Sequence, residues 1–259
     1  MCQLFGWSSK VSRSGWQLPL AEFRARGGAT ADNPDGWGVA WRVGDAFLLE
    51  REPLPGFDST QFDRVINALH SDLIVAHVRK ARFPPVNTLN NTHPFVHDCC
   101  DRHWTFAHNG MVPDIVALEA ANEGRVCRPD GQTDSESAFC HLMSHVTGHY
   151  AMPNAEADWL GVLGAVSEQI AGLGMFNFLL SDGEHLIAYG HDRLHFLEST
   201  EGSSATALIA TEPLGDDAGW TPFEAGELRI YRAGARVARM STSPPPARTV
   251  LGPTKVNHE

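Results

Sequence analysis

The chain begins Met1-Cys2-Gln3-Leu4-Phe5-Gly6-Trp7, and we expect the fold to be organised around the cysteine at its second position. Removal of the initiator methionine would leave Cys2 with a free α-amine beside its own thiol. An α-amine has a pKa of about 7.7 to 8.0, so near neutral pH it can take the thiol proton and later pass it to a leaving amine. The stretch therefore predicts a self-contained nucleophile and base. The alternative is a small buried hydrophobic residue at the head of a strand.

Composition restricts the classes of partner. The 259 residues are 42% hydrophobic, which is enough for a substantial core in one large domain or two small ones. Because the formal net charge is -11, nucleic acid and anionic membranes would be repelled, and a small polar substrate is expected instead. We find neither an apolar run of membrane-spanning length nor a secretory leader, so a cytoplasmic protein without a membrane partner is expected.

The cysteines are sparse and odd in number, so reduced thiols are expected rather than a disulfide framework. They are Cys2, Cys99, Cys100, Cys127 and Cys140. Candidate metal ligands are His93, His97, His103 and His108 together with Cys99 and Cys100. Their spacing matches no standard zinc pattern. We therefore expect neither a metal site nor a cofactor.

The first half of the chain predicts strands with a helix between them. A hairpin is expected over residues 36–49, with Gly44-Asp45 at its turn. A capped amphipathic helix is expected behind Asp58-Ser59. Two buried strands follow at residues 73–78 and 104–107, and the segment between them is rich in proline and asparagine. That composition predicts a long loop.

Helices and then strands follow in the second half. Thr133, with Glu136 three residues later, predicts a capping box at the start of a helix, and another helix is expected from about Asp158. Six short strands are expected between residues 175 and 240. This order predicts one α+β domain over residues 1–240. Residues 241–259, poor in apolar side chains, predict an irregular or disordered tail.

Short motifs follow Cys2 in a set order. They are Asn33-Pro34-Asp35-Gly36-Trp37-Gly38, His77-Val78-Arg79, Asn91-Thr92-His93-Pro94-Phe95, Phe106-Ala107-His108-Asn109-Gly110 and Thr133-Asp134-Ser135-Glu136. Further matches lie at residues 176–183 and 210–214. Together the motifs resemble class II glutamine amidotransferase domains, and most closely the single-domain, YafJ-type branch. The resemblance implies the four-layer αββα sandwich of the N-terminal nucleophile hydrolases.

The resemblance also implies the roles of the reacting groups. Cys2 would attack the side-chain carboxamide of glutamine, form a γ-glutamyl thioester and release ammonia before water completes the cycle. The tetrahedral intermediate needs donors already aimed at its oxyanion. In the family these donors are the side-chain amide of the Asn and the backbone N–H of the Gly in an Asn-Gly pair. The resemblance implies Asn109 and Gly110 for these roles. The alternative for this pair is an ordinary turn, because Asn-Gly is a frequent hairpin dipeptide.

Four further residues are expected at the substrate. Arg79 would bind the α-carboxylate, with a structural ion pair as the alternative. Asp134 would bind the α-ammonium, and its charge also suits a helix N-terminus. His93 would border the glutamine pocket, with a backbone-bracing role as the alternative. Trp37 would shape the wall near the nucleophile.

One departure from the family and three functional hypotheses remain. Synthase members follow the arginine with Trp-Ala-Thr-His-Gly, where this chain has Lys80-Ala81-Arg82-Phe83-Pro84.

The chain ends near the expected end of the glutaminase domain, so a stand-alone enzyme acting on glutamine or a γ-glutamyl amide is one hypothesis. A glutaminase subunit that supplies a separate synthase chain is the second, and a homo-oligomer fits either. A non-catalytic binding module is the third, disfavoured by the joint presence of the site residues.

Overall fold

The computed structural model describes residues 1–150, 159–199 and 205–248. Its strands are β1 (Gln3–Ser14), β2 (Trp37–Val43), β3 (Ala46–Glu52), β4 (His70–Val78), β5 (Phe95–Cys99), β6 (Arg102–Met111), β7 (Met175–Ser181), β8 (His185–Gly190), β9 (His195–Ser199), β10 (Thr206–Ala210), β11 (Thr221–Pro222), β12 (Glu227–Arg232) and β13 (Ala235–Ser241). Its α-helices are α1 (Leu20–Ala25), α2 (Thr60–Ala68), α3 (Ile115–Ala120), α4 (Asp134–Tyr150) and α5 (Trp159–Ala171).

The strands form two antiparallel sheets. The first has the order β11-β9-β10-β1-β4-β2-β3, and the second has the order β13-β12-β8-β7-β6-β5. Strand β1 lies inside the first sheet, between β10 and β4, with Gln3 paired to Val78. Strand β6 lies inside the second sheet, between β5 and β7. Cys2, at the head of β1, is therefore held by the middle of the first sheet.

Alternating side chains bury both faces of each sheet, because successive residues of a strand point to opposite faces. On β1, Phe5 packs in a core with Phe23 of α1 and Phe62 of α2. Its neighbour Leu4 packs instead between the sheets, against Leu179 of β7. A third core joins the second sheet to α3, α4 and α5. The layers are thus helices, sheet, sheet and helices, and the predicted four-layer α+β sandwich is confirmed.

Local signals explain where two helices begin. The Ser59 hydroxyl accepts a hydrogen bond from the Phe62 N–H at 3.0 Å and caps α2, as predicted. Before α4, the Thr133 hydroxyl accepts from the Glu136 N–H at 3.1 Å. The Glu136 carboxylate accepts from the N–H groups of Asp130 and Gly131 rather than from that of Thr133. Only half of the predicted capping box is therefore formed.

The predicted loop between β4 and β6 contains a strand. Strand β5 pairs with β6 at the edge of the second sheet, from Phe95↔Phe106 to Cys99↔Arg102. As an edge strand, β5 leaves several of its side chains partly exposed, and the sequence there lacks the apolar run of an interior strand. The prediction of an entirely irregular loop was wrong for this reason.

The expectation that every thiol is reduced was also wrong. The segment between α3 and α4 folds back on α4 and brings the Cα atoms of Cys127 and Cys140 to 5.5 Å, where the two residues form a disulfide. Cys2, Cys99 and Cys100 are free. A chain reversal of this kind cannot be inferred from the number of cysteines.

The end of the described chain is tied to the second sheet. Past β13, the Thr242 N–H donates to the Gly226 carbonyl at 2.9 Å, and the His191 ring contacts the Pro245 carbonyl at 2.8 Å. The rest of the predicted tail, residues 249–259, lies outside the described residues. Among the helices that the structure describes, none has both the length and the apolar character needed to cross a bilayer.

Candidate active site

A cleft at the head of β1 contains the predicted nucleophile. The Cys2 sulfur accepts a hydrogen bond from the Lys80 N–H at 3.2 Å, because the pairing of β1 with β4 brings the residues after Val78 beside it. Burial raises the pKa of the Cys2 thiol, while the Lys80 N–H and the charge of Arg79 oppose that rise. Such a thiol needs a base to ionise. In this chain the α-amine belongs to Met1, one residue before Cys2.

The structure brings most of the predicted site residues together. Cys2, Arg79, His93, Gly110 and Asp134 line one cleft, and Asn109 lines an adjoining part that also contains Cys2. These residues come from the head of β1, the residue after β4, the loop before β5, the last part of β6 and the first turn of α4. Segments more than 100 residues apart in the sequence therefore meet at one cleft.

Asn109 and Gly110 lie inside β6 and do not form a turn. Asn109 pairs with Asn177 and Gly110 with Phe176, so the strand continues through both residues. The alternative of an ordinary Asn-Gly hairpin turn was therefore wrong. A Cβ atom on Gly110 would overlap the Met175 carbonyl oxygen of the neighbouring strand, which explains why glycine occupies this position.

Arg79 is buried, with an exposed fraction of 3%. Its guanidinium donates to neutral acceptors of the following loop: the Val86 carbonyl at 3.2 Å, the Asn87 side-chain oxygen at 3.0 Å and the Pro84 carbonyl at 3.4 Å. A guanidinium has five N–H donors. Among the described residues, the Nε–H and one Nη2–H have no partner, and two donors are what a bidentate carboxylate contact requires. The contacts are not those of an ion pair.

Asp134 is the first residue of α4 and is 4% exposed. Its carboxylate accepts from the Val112 N–H at 2.7 Å, and one of its oxygens lies 3.4 Å from the Ser135 hydroxyl oxygen. Burial raises the pKa of this carboxyl to about 6, and the hydrogen bonds oppose the rise. A buried carboxylate of this kind is stabilised by an incoming cation.

Three histidines lie at the cleft or next to it: His93 and His108 line it, and His77 packs on His93. His93 and His77 are buried with ring centroids 4.1 Å apart, and neither ring has a hydrogen-bond partner among the described residues. Burial lowers the pKa of both imidazoles well below the usual value. The bracing alternative for His93 requires a ring–backbone hydrogen bond, which these contacts do not include.

His108 has a bracing role instead. Burial lowers its pKa to about 4, so the ring is neutral near pH 7. Its Nε2 lies 3.1 Å from the Met175 carbonyl, which only accepts, so the proton is on Nε2. Its Nδ1 then accepts from the Ser135 hydroxyl at 2.8 Å. His108 thus connects β7 to the start of α4, beside Asp134.

Trp37 is not among the residues that line the cleft. Its ring is fully buried, stacks on Phe62 with centroids 4.2 Å apart, and donates from Nε1 to the Glu52 carboxylate at 2.9 Å. The neighbouring Asp35 instead holds the loop beyond Arg79, because its carboxylate accepts from the Ala81 N–H and from Asn87 Nδ2.

Thr211 and Asn177 support the site, although the sequence motifs that contain them suggested no role. The Thr211 hydroxyl oxygen accepts from the Leu4 N–H at 2.9 Å and from Asn109 Nδ2 at 3.2 Å. It therefore joins the nucleophile strand to the predicted oxyanion amide. The Asn177 side chain donates to the Asn109 carbonyl at 3.0 Å. The motifs at residues 176–183 and 210–214 were the only sequence signal for these roles.

A second cluster, outside these residues, contains possible metal ligands. Among the described residues, His97, Cys127 and Cys140 place one ligand atom each within 4.8 Å of one another. None of the three lines the Cys2 cleft. The sequence expectation of no metal site rested on a set of residues that shares only His97 with this cluster.

Comparison with known proteins identifies the family. The family model for class II glutamine amidotransferases matches residues 1–201. YafJ of Escherichia coli K12 is 32% identical over 260 residues, which cover 92% of this chain and all of that protein. The gamma-glutamyl-hercynylcysteine sulfoxide hydrolase of Mycobacterium tuberculosis H37Rv is 32% identical over 190 residues, covering 73% of this chain and 71% of that protein.

Solved structures agree with this assignment. A structure described as a predicted glutamine amidotransferase from Pseudomonas aeruginosa PA01 matches with a TM-score of 0.70 at 29% identity, covering 92% of this chain and all of that one. The glutamine phosphoribosylpyrophosphate amidotransferase of B. subtilis matches with a TM-score of 0.67 at 14% identity, covering 93% of this chain and 49% of that one. The second match shows the fold alone. The chain therefore belongs to the class II glutamine amidotransferase family, and it is an enzyme of the amidohydrolase type.

Proposed function

We propose that the enzyme cleaves the γ-carboxamide of glutamine, or a γ-glutamyl amide, through a γ-glutamyl thioester on Cys2. One observation carries the proposal: a buried cation and a buried carboxyl group, Arg79 and Asp134, line the same cleft as the Cys2 sulfur. A γ-glutamyl group carries an α-carboxylate and an α-ammonium at the end opposite its reactive carbonyl. Arg79 is opposite in charge to the α-carboxylate, and ionised Asp134 is opposite in charge to the α-ammonium.

The proposed reaction begins after Met1 has been removed. The Cys2 α-amine accepts the thiol proton, and the sulfur attacks the γ-carbonyl carbon. The resulting oxyanion accepts from Asn109 Nδ2 and the Gly110 N–H. The amine then passes its proton to the leaving nitrogen, and ammonia or an amine departs. Water attacks the thioester, releases glutamate and restores the thiol.

The relatives support a substrate range wider than glutamine. The Mycobacterium tuberculosis relative is named as the hydrolase of a γ-glutamyl compound, and its similarity covers 73% of this chain. We propose that the enzyme recognises the γ-glutamyl half and tolerates changes in the leaving amine. N-acetylated or α-amidated glutamine is then a poor substrate, whereas γ-glutamyl amides of different amines are cleaved. The opposite ranking would show that Arg79 and Asp134 do not bind the α-carboxylate and the α-ammonium of the γ-glutamyl half.

The mechanism is tested by asking whether turnover requires a free α-amine on Cys2. Protein whose intact mass lacks Met1 is expected to release glutamate from glutamine or from a γ-glutamyl amide. The same chain with an uncleaved N-terminal tag is expected to be inactive, because its Cys2 nitrogen is then a non-basic amide. Cys2→Ala is expected to be inactive as well. The matched control is Cys100→Ser, which changes an exposed free thiol and is expected to retain activity.

Full turnover by the tagged chain would exclude the α-amine as the base. Turnover that appears only with an added synthase chain would favour the glutaminase-subunit alternative. An acid-quenched reaction analysed by mass spectrometry adds an independent measurement. Its expected result is a γ-glutamyl adduct on the peptide that contains Cys2.

A further inference from the structure

The cluster of His97, Cys127 and Cys140 combines three elements that are distant in sequence. His97 lies on β5, Cys127 in the segment between α3 and α4, and Cys140 on α4. His97 Nε2 is 4.0 Å from the Cys140 sulfur. The Cys140 side chain is fully buried, and the other two are partly buried. Two sulfur atoms and an imidazole nitrogen thus converge at the margin of the core.

We propose that these three residues bind a zinc ion when the two cysteines are reduced. Thiolate and imidazole donors are the set that zinc prefers, at distances of about 2.3 Å for sulfur and about 2.0 Å for nitrogen. The structure contains the oxidised pair, the Cys127–Cys140 disulfide. A dithiol or phosphine reductant supplies two electrons, and two protons convert the disulfide to two thiols. Each thiol then releases its proton as its sulfur binds zinc.

A fourth donor is available beside the imidazole. Glu136 Oε1 lies 3.7 Å from His97 Nε2, and this carboxylate is buried. Its orientation is fixed by the N–H groups of Asp130 at 3.0 Å and Gly131 at 2.7 Å. Outer contacts of this kind orient metal ligands. Glu136 lies on the imidazole side of the cluster and outside the group of ligand atoms within 4.8 Å of one another, so it supplies the fourth ligand that is usual for structural zinc only after its carboxylate shifts toward the sulfur atoms.

The position of the cluster indicates a structural role for the metal. Zinc at this point would fasten β5 and the segment that contains Cys127 to the first two turns of α4. The disulfide already joins that segment to α4, but it does not include β5. The two forms would therefore fix the same segment by different attachments. None of the four residues lines the Cys2 cleft, so zinc loading and turnover can be measured separately.

The direct test uses cobalt as a spectroscopic probe. Protein reduced with a phosphine under anaerobic conditions and freed of metal by a chelator is titrated with Co²⁺. The expected result is a thiolate-to-cobalt charge-transfer absorption that saturates at one equivalent. Zinc is then expected to displace the cobalt, because zinc binds such sites more tightly. Without reduction, no such absorption is expected.

Variants separate this cluster from the other thiols. Cys127→Ser, which changes a partly buried side chain and leaves Cys140 as the remaining thiolate of the cluster, is expected to lower the intensity of the absorption and to weaken cobalt binding. The matched control is the Cys99→Ser/Cys100→Ser double variant, which retains all three proposed ligands and is expected to retain the absorption. His97→Gln is expected to weaken cobalt binding by more than about tenfold, as loss of even an outer-shell contact does. This variant keeps the test decisive if Cys127→Ser does not fold.

Three results would overturn the proposal. The first is reduced wild-type protein that gives no thiolate–cobalt absorption, which would leave the pair as a disulfide only. The second is an absorption of unchanged intensity and affinity in Cys127→Ser, and the third is one that disappears in the double variant. Thermal unfolding of the reduced protein gives a second measurement. Zinc is expected to raise the Tm of wild type and not that of Cys127→Ser.

Discussion

The two sides of the cleft are built differently. Asn109 and Gly110, the proposed oxyanion side, are neutral and lie within a paired strand of the second sheet, with Asn109 also bonded to Thr211 beyond β10. Arg79 and Asp134, the proposed recognition side, are charged side chains. They are held by loop carbonyls and by the start of a helix. Asn109 and Gly110 are thus fixed by strand pairing and by the bond to Thr211. Arg79 is fixed by a loop and Asp134 by the start of a helix.

The difference predicts where each side acts in the reaction. Donors fixed by a ladder cost no reorganisation when charge develops on the substrate oxygen, so the oxyanion side is expected to act on kcat. Buried charges attract the substrate ions before any bond changes, so the recognition side is expected to act on binding and on pH dependence. Variants on the two sides therefore differ in kind as well as in size.

The largest effect of a single side chain on this comparison is expected at Asn109. Asn109→Ala removes one oxyanion donor, so kcat is expected to fall by about 10² to 10³ with little change in KM. Steady-state kinetics on a γ-glutamyl amide measure both constants. Asn109→Gly is the companion variant, since a residue that only shaped the backbone would be replaced by glycine without loss. A near wild-type kcat for folded Asn109→Gly would remove Asn109 from the oxyanion role.

Arg79→Ala is expected to show its loss in kcat/KM. A hydrogen bond to a charged group contributes about 1.5 to 3 kcal/mol, so the fall is about 10- to 150-fold. The matched control is Asn87→Ala, which removes a loop contact of the guanidinium and keeps its charge. The α-amide of the substrate sharpens the test. Wild type is expected to discriminate against it, whereas Arg79→Ala is expected to treat acid and amide alike. Discrimination that persists in Arg79→Ala would contradict the assignment.

Thr211→Val tests whether the oxyanion side depends on the link between the sheets. The variant keeps the shape of the side chain and removes the acceptor for the Leu4 N–H and the Asn109 amide. We expect a stability loss of about 1 to 3 kcal/mol from the unpaired N–H. We also expect kcat to fall about tenfold, the equivalent of one net hydrogen bond. Thr211→Ser retains the hydroxyl and is expected to approach wild type; equal kcat losses in both variants would argue against the link.

Much of the architecture was predictable from the sequence because interior elements are periodic. The stripe of Phe62, Val65 and Ile66 behind Ser59 specifies α2, and the pattern around Gly44 specifies a hairpin. Strand β5 was missed because an edge strand leaves much of its side-chain surface in solvent. Its pairing depends on β6, which is separated from it only by a tight turn. Local composition contains little of that information.

The motifs predicted which residues belong to the site, but they did not predict the contacts that those residues make. Asn109 was correctly placed near a strand end, but only the pairing with Asn177 shows that its strand continues. Trp37 belongs to a matching motif, yet its ring packs on Phe62 in the core. The contact between Asn109 and Thr211 spans 102 residues. Tertiary contacts of this range follow from sheet order, which no single motif specifies.

The smallest expected effect is the pH response of the recognition side. The proposed α-amine base has a pKa near 8, so kcat/KM is expected to fall by about tenfold for each pH unit below it. Asp134, with a pKa of about 6, adds a second fall, because only its ionised form attracts the substrate ammonium. At pH 5.5 about one quarter of a group with this pKa is ionised, so the additional loss is about fourfold. The measurement is kcat/KM between pH 5 and 8.

The direction of the Asp134 pKa shift distinguishes the fall in kcat/KM at low pH from acid unfolding. A carboxyl whose pKa is raised in the folded state binds its proton more tightly there than in the unfolded chain. Its contribution to stability is therefore present at low pH and lost as the pH rises through about 6. Activity on the recognition side falls with decreasing pH while this contribution to stability rises. Asp134→Asn, which keeps the shape of the side chain and does not titrate, is expected to have a lower kcat/KM at pH 7 and to lack the bend near pH 6. A bend that persists in Asp134→Asn would assign it to another group.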